Sequence, residues 1–362
     1  MSINRSWGQI DFLLLALVGA LALLGVLGVY SAGLSSGGRF YSGQLLRIGL
    51  GFAVCLFVML FDYRKLVERA FVLYILALLV LAGVLIFGSE VNGSKSWIHV
   101  GGLTFQPSEF TKIVVLLAVI RLISDSREEY LTHRRLMNVG VVCLIPILLI
   151  ILQRDLGTAI MFVPVVGGIL LAAGVRRRLL IGVLVVGLVS TPLVWFGLKD
   201  YQRQRVLVTL DPGRDPLGIG YQTRQAQIAI GSGGLVGRGI GEGRQSQLGF
   251  VPESHTDFIF ALLAEETGFL GAASILLLYF LLLSRLITIG VEAKDRAGML
   301  IIAGVVAFIF SHVLINIGMA LGIVPPIGIP LPFLSYGGSS TLTTFAAIGL
   351  ALSVSLRRYM YS

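Results

Sequence analysis

Charge is scarce in this chain. Charged residues make up 13% of 362, where a soluble domain would carry about a quarter. That excludes a water-facing surface for most of its length. Cysteine is scarcer still: Cys55 and Cys143 lie inside apolar runs with no metal-ligand partner at a useful spacing, so they build no disulfide framework. The four histidines (His99, His133, His255, His312) are scattered and form no H-E-x-x-H pair. There is no Walker motif. "GSGGLVG" (231–237) misses the G-x-G-x-x-G spacing and sits between apolar segments instead of after a strand. No internal repeat and no soluble domain stand out. The formal charge of +9 has no basic stretch interleaved with aromatics, which argues against nucleic acid as a partner.

What the chain does have is apolar runs of about 20 residues, long enough to cross a hydrocarbon core of roughly 30 Å. With 56% hydrophobic residues and a mean hydropathy of +0.90, it reads as an all-α integral membrane protein, a single polytopic domain over 1–362. The first run, about Phe12 to Tyr30, exceeds a signal h-region and lacks a small-x-small cleavage site, so it reads as a span. Ten spans are expected, near 10–31, 44–61, 69–88, 108–123, 137–152, 157–174, 179–198, 257–284, 297–322 and 336–355. The 45 glycines suit close helix packing in lipid. Arg64, Lys65 and Arg69, then Arg121, Arg127, Arg134 and Arg135, then Arg176 to Arg178, then Arg285, Lys294 and Arg296 fall on the same side as Arg5, Arg357 and Arg358. The positive-inside rule therefore puts both termini in the cytoplasm.

Two segments on the opposite side stand apart. Residues 199–256 form a long extracytoplasmic loop, with a short surface helix expected at Tyr221 to Ile230 and a Gly-rich turn region after it. "GIVPPIGIPLPFLSYGGSS" (322–340) is apolar yet dense in Pro and Gly. Its unpaired amides and carbonyls cannot face lipid, so it reads as a re-entrant segment buried in protein.

Ionisable groups at membrane depth cost about 2.5–3.5 kcal/mol on insertion scales, so the few present are the candidates for chemistry. Glu109 and Lys112 stand three apart and share a helix face, either as an internal ion pair or as a charged cavity wall. "QRDLGT" (153–158) places Gln153, Arg154 and Asp155 in a short turn, structural or functional. His255 reads as a polar mouth residue, with a metal pair to Asp257 unsupported. Asp257 in "PESHTDFIFALLAEE" (252–266) suits a helix cap. A straight helix over 257–286 would run about 45 Å, which puts Asp257 at or above the outer interface unless the helix is strongly tilted. Glu265 and Glu266 read as supporting polar groups further along it.

At this point the chain resembles the SEDS (shape, elongation, division and sporulation) family. "NIGMALGIVPPIGIPLPFLSYGGSS" (316–340) is similar to its signature, with Asn316, Gly322, Pro325, Gly328, Ser335, Gly337 and Gly338 in place. "WIHVGGLTFQPSEFTKI" (97–113), "DPLGIGYQTRQAQIAIGSGG" (215–234) and "PESHTDFIFALLAEETG" (252–268) resemble further family blocks in family order. "RQSQLGFVPE" (244–253) and the short N-terminus look more like the elongation-type members than the division-type.

The resemblance implies a peptidoglycan glycosyltransferase in the bacterial cytoplasmic membrane, polymerising lipid II by inverting displacement of undecaprenyl diphosphate. Asp257 matches the family's essential aspartate and takes the role of general base. Glu109 and Lys112 match positions of the central cavity, with Gln153, Asp155, Arg203, Arg205, His255, Glu265, Asn316 and Ser335 as further cavity or substrate-binding candidates. Lys112, Arg203, Arg205 and the Gly-rich loop amides are candidates for the diphosphate. The turn that the family writes Q-P-D-L-G-T has Arg154 for proline, which weakens the carry-over to Asp155. Implied partners are a class B penicillin-binding protein, other elongation-complex membrane proteins and membrane lipids. No cofactor is called for, and a Mg or Mn requirement stays open. A lipid II flippase and a non-catalytic cell-wall scaffold are the competing readings, and polar residues clustered towards one side favour chemistry there over a path through the bilayer.

Overall fold

The computed structural model describes residues 10–34, 40–91, 93–100, 103–124, 132–175, 182, 196, 200–211, 215 and 218–358. The first helices are α1 (Phe12–Leu34), α2 (Tyr41–Leu60), α3 (Tyr63–Glu68) and α4 (Ala70–Phe87). Three short strands follow, β1 (Ser89–Val91), β2 (Ser94–Val100) and β3 (Leu103–Phe105). Then come α5 (Pro107–Ser124), α6 (His133–Leu152), α7 (Leu156–Ile160), α8 (Phe162–Ala172), α9 (Asp200–Leu210), α10 (Ile219–Ser232) and α11 (Arg244–Gln247). The chain ends in α12 (Ile259–Val291), α13 (Arg296–Ala320) and α14 (Gly338–Arg357).

Nine of the ten expected spans fall on these helices, that at 157–174 on the pair α7–α8, and the span expected at 179–198 lies, apart from residues 182 and 196, outside the described residues. Seven described helices are long and apolar enough to cross a membrane: α1, α2, α4, α6, α12, α13 and α14. Helix α5 is not among them, because Glu109, Lys112 and Arg121 interrupt its apolar run. The strands depart from a purely helical reading. They pair antiparallel in the order β1-β2-β3 between α4 and α5, as a small cap at one end of the bundle.

Helix α14 is the most enclosed, with 89% of its apolar window buried. Small residues let α2 close onto it: a Cβ on Gly51 would stand 2.3 Å from Phe345, and one on Gly349 2.6 Å from the Cys55 carbonyl. Such approach substitutes for the hydrophobic drive that lipid cannot supply between helices. At the Arg-rich end, acids at helix termini engage the basic side chains. Arg285 pairs with Asp11 at 2.7 Å, and Arg64 and Tyr63 both bond Asp295, at 2.7 and 2.8 Å. The opposite end is called distal below.

Helix α12 is not the expected rod. Its 33 residues would run about 50 Å if straight. Gly268 interrupts it at φ 67°, ψ −165°, a conformation open to glycine and closed to larger residues. The Gly-rich loop enters the break and pairs the freed backbone. Phe269 and Leu270 amides donate to the Gly234 and Leu235 carbonyls (2.9 and 3.1 Å), and Arg238 and Gly239 amides donate to those of Glu265 and Glu266 (3.1 and 3.0 Å). The part before Gly268 stays beside α1: Ile259 and Leu263 both meet Gly28, and Glu266 meets Ser31. Asp257, two residues before Ile259, therefore sits at the distal end beside α1. The helix expected at 221–230 is α10, packed through buried Ala226 and Ala229 instead of lying free on the surface.

Candidate active site

The turn before α12 is held by its backbone. The carbonyls of His255, Thr256 and Asp257 each accept one hydrogen bond, from the Tyr336 amide (2.8 Å), Ser335 Oγ (2.6 Å) and Asn316 Nδ2 (2.9 Å). Asn316 also donates to the Ile329 carbonyl at 2.8 Å, and Ser335 Oγ accepts from the Leu331 amide at 2.8 Å. Gln44 donates to the Ser335 carbonyl at 3.4 Å, and Tyr279 Oη to that of Pro332. The Pro/Gly-rich segment thus finds its partners inside the protein, as its composition demands.

With its carbonyl fixed, Asp257 presents a carboxylate that receives no hydrogen bond among the described residues. It caps nothing: the N-cap of α12 is Phe258, without a side-chain cap bond. Gly328, at φ 73°, backs the carboxylate, and a Cβ there would lie 3.6 Å from Asp257 Oδ2. Burial and the neighbouring Glu253 charge push its pKa up to about 6, against the pull of Arg205. His255 is held below its ordinary value, mainly by burial. Its ring stacks on Phe40 at 4.2 Å and meets Tyr336 edge-on at 5.6 Å.

Glu109 and Lys112 form the expected pair, 2.9 Å apart and both buried. A third member is His312 on α13, whose Nε2 lies 3.3 Å from Lys112 Nζ. His312 Nδ1 faces the Phe308 carbonyl at 2.8 Å, which fixes the neutral tautomer with the proton on Nδ1 and leaves Nε2 to accept from the ammonium. Lys112 is thereby engaged on two sides within the protein. Glu109 keeps one buried oxygen, Oε2, without a partner.

Asp155 caps α7 through the Thr158 amide (3.1 Å) and accepts from Gln106 Nε2 (2.6 Å). Arg154 takes a positive φ of 63° where the family writes proline, a conformation proline cannot adopt. Gln153 donates to the Leu81 carbonyl at 2.9 Å, tying α6 to α4. Asp155 and Gln153 thus brace the turn and are not drawn to Asp257. Arg203 donates to the Phe196 carbonyl at 2.8 Å, while Arg205 is the cation whose charge reaches Asp257.

Glu265 and Glu266 hold the Gly-rich loop. Glu265 accepts from the Gln245 and Ser246 amides (2.8 and 3.1 Å) and from Ser246 Oγ (2.7 Å). Glu266 accepts from the Gly241 amide (3.0 Å) and Ser31 Oγ. Five amides of the loop, those of Arg238, Gly239, Gly241, Gln245 and Ser246, are occupied by the carbonyls and carboxylates of Glu265 and Glu266.

One residue that the sequence reading passed over stands beside the site. Arg47, the single charge in α2, lies with its guanidinium 3.8 Å from the centre of the Tyr336 ring. The signal was present as an arginine inside an apolar span, which by itself marks a site.

Comparison with known proteins agrees with this architecture. Residues 9–360 match the family described as "Cell cycle protein", FtsW/RodA/SpoVE. The chain is 44% identical over 295 residues to the peptidoglycan glycosyltransferase MrdB of Escherichia coli K12, covering 80% of this chain and 78% of that one. It is 33% identical over 430 residues to the peptidoglycan glycosyltransferase RodA of Treponema pallidum, covering 98% and 99%. A solved chain described under "Structural coordination of polymerization and crosslinking by a peptidoglycan synthase complex" superposes with a TM-score of 0.85 at 34% identity, covering 97% of this chain and 98% of that one. With a family match over nearly its whole length and a shared fold, the chain belongs to the FtsW/RodA/SpoVE family of multi-pass inner-membrane proteins.

Proposed function

We propose that this peptidoglycan glycosyltransferase polymerises lipid II at the outer face of the membrane by a single inverting displacement with Asp257 as general base, in rod-type elongation. The observation that carries the assignment is the Asp257 carboxylate: its backbone is pinned by Asn316, its oxygens receive no hydrogen bond among the described residues, and its pKa is raised to about 6. Such a group is mostly ionised at pH 7 yet more basic than an ordinary aspartate, as proton abstraction requires.

In the reaction, the 4-hydroxyl oxygen of the acceptor GlcNAc bonds to the anomeric carbon of the donor MurNAc. The bond from that carbon to the diphosphate oxygen breaks, and its electron pair leaves with undecaprenyl diphosphate. The hydroxyl proton passes to Asp257, a transfer typically contributing about 10²–10⁴-fold. The charge pattern supports placing the distal end outside the cytoplasm, where the lipid-linked sugar is presented. A class B penicillin-binding protein is the proposed partner, supported by the likeness to a chain from a polymerising and crosslinking complex.

The test is purified protein with that partner and lipid II. Glycan chains should form and should disappear with Asp257→Asn while the folded complex persists. Unchanged polymerisation by the variant would remove the general base. Lipid movement without polymer would favour a flippase.

A further inference from the structure

The reaction expels a diphosphate, and the cations first considered for it are committed elsewhere. Lys112 is held by Glu109 and His312, and Arg203 by the Phe196 carbonyl. Arg205 is the cation that acts on the base itself. Arg47 is placed differently. Its guanidinium sits 3.8 Å from the centroid of the Tyr336 ring, and its Nη1 is shielded from water with no hydrogen-bond partner among the described residues. A guanidinium N–H kept from water and donating to nothing is unfavourable unless an acceptor arrives. Gly43 lies against it, where a Cβ would stand 3.3 Å from Arg47 Nη1 and 2.9 Å from Tyr336 Oη.

The ring that carries Arg47 is built into the base's own turn. The Tyr336 amide donates to the His255 carbonyl, and Tyr336 packs edge-on against Phe40 at 5.4 Å and His255 at 5.6 Å. Arg47 is therefore joined to Asp257 through one rigid unit. Its charge is nonetheless not among those that move the Asp257 pKa, where Arg205 is. An inverting displacement sets base and leaving group on opposite sides of the reacting carbon, so the leaving group calls for a cation other than the one that acts on the base. A planar fork stacked on an aromatic face, with a donor to spare, fits two phosphate oxygens.

We infer that Arg47, seated on Tyr336, is the cation that binds the diphosphate of the lipid-linked donor. The inference rests on the glycosyltransferase reading. A phospholipid phosphate offers similar chemistry, so the experiment separates the two. Binding of undecaprenyl diphosphate and of phosphatidylglycerol to the detergent-solubilised complex is measured for wild type, Arg47→Gln, Arg47→Lys and Gly43→Ala, all in the Asp257→Asn background, where no turnover interferes.

Arg47→Gln should weaken undecaprenyl diphosphate binding tenfold or more and leave phosphatidylglycerol binding unchanged. Arg47→Lys keeps the charge but loses the fork, and should fall between. Gly43→Ala keeps the arginine and crowds its Nη1, so it should weaken the diphosphate without removing charge, and it carries the test if Arg47→Gln does not fold. With Asp257 restored, Arg47→Gln should raise the KM for lipid II and the half-inhibitory concentration of undecaprenyl diphosphate by similar factors. A folded Arg47→Gln with wild-type diphosphate binding would overturn the inference, and so would an equal loss of both lipids. A wild-type protein that binds diphosphate through Arg47 but makes no glycan would instead overturn the glycosyltransferase reading.

Discussion

Asn316 Nδ2 donates to the Asp257 carbonyl at 2.9 Å across 59 residues of chain, and the same amide group holds Ile329 at 2.8 Å. Asn316 is wholly buried. One side chain thus joins α13 to both the turn that carries the base and the segment that backs it. Asn316→Leu leaves two buried carbonyls unpaired, at about 1–3 kcal/mol each. Asn316→Asp, equal in shape, sets an acceptor against two acceptors and should be worse. Thermal unfolding should rank wild type above Leu above Asp, with kcat for lipid II falling more than KM rises.

The base must be ionised to act, so activity should fall as pH drops through about 6, the value for Asp257. Glu253 is one of the groups that raise that value. Glu253→Gln should therefore move the acidic limb of the kcat/KM profile to lower pH. A limb that stays in place would detach the profile from Asp257.

The same shift has a stability consequence of opposite sense. A carboxyl whose folded-state pKa is raised from 3.8 to about 6 contributes stability that is full below 3.8 and is lost as pH rises through 6. Asp257→Asn removes that loss. The inactive variant should unfold at a higher temperature than wild type at pH 7 to 8, and the gap should close near pH 4.

Lys112→Met should destabilise the protein by about 3–5 kcal/mol, because it strands the buried Glu109 carboxylate. Pairing it with Glu109→Gln should recover most of that loss in thermal unfolding, although not the activity if the pair lines the sugar site.

Glu265→Leu leaves the Gln245 and Ser246 amides and Ser246 Oγ without their acceptor. Limited proteolysis should then cut within residues 233–250 faster than in wild type. Gly268→Ala should have the same effect, since its Cβ would stand 2.2 Å from the Gly237 nitrogen.

Much of this was legible in the residues. Apolar run length located the helices, because the hydrocarbon core sets one length for all of them. Spacing placed Glu109 and Lys112 on one face, and the resemblance singled out Asp257. What stayed hidden depends on residues distant in sequence. His312 sits 200 positions from Lys112, and no local pattern announces a neutral imidazole beside an ammonium. The break at Gly268 follows a stretch of helix-forming residues on one side and precedes another, and residues 234–239 stabilise it by supplying backbone partners. Ser335 and Asn316 were legible as site residues, but their task, holding carbonyls, was not. Arg47 was legible from charge alone and was passed over because its span read as ordinary.

The three carbonyls before α12 also set an order of events in biogenesis. Their holders, Asn316, Ser335 and Tyr336, all lie later in the chain than the turn they hold. A ribosome inserting this protein from its N-terminus delivers Asp257 to the membrane well before anything can fix it there. Until α13 and the Pro/Gly-rich segment have followed, the aspartate is present but unaimed. A nascent chain halted after α12 should carry the base and make no glycan, so that competence arrives with the last two helices.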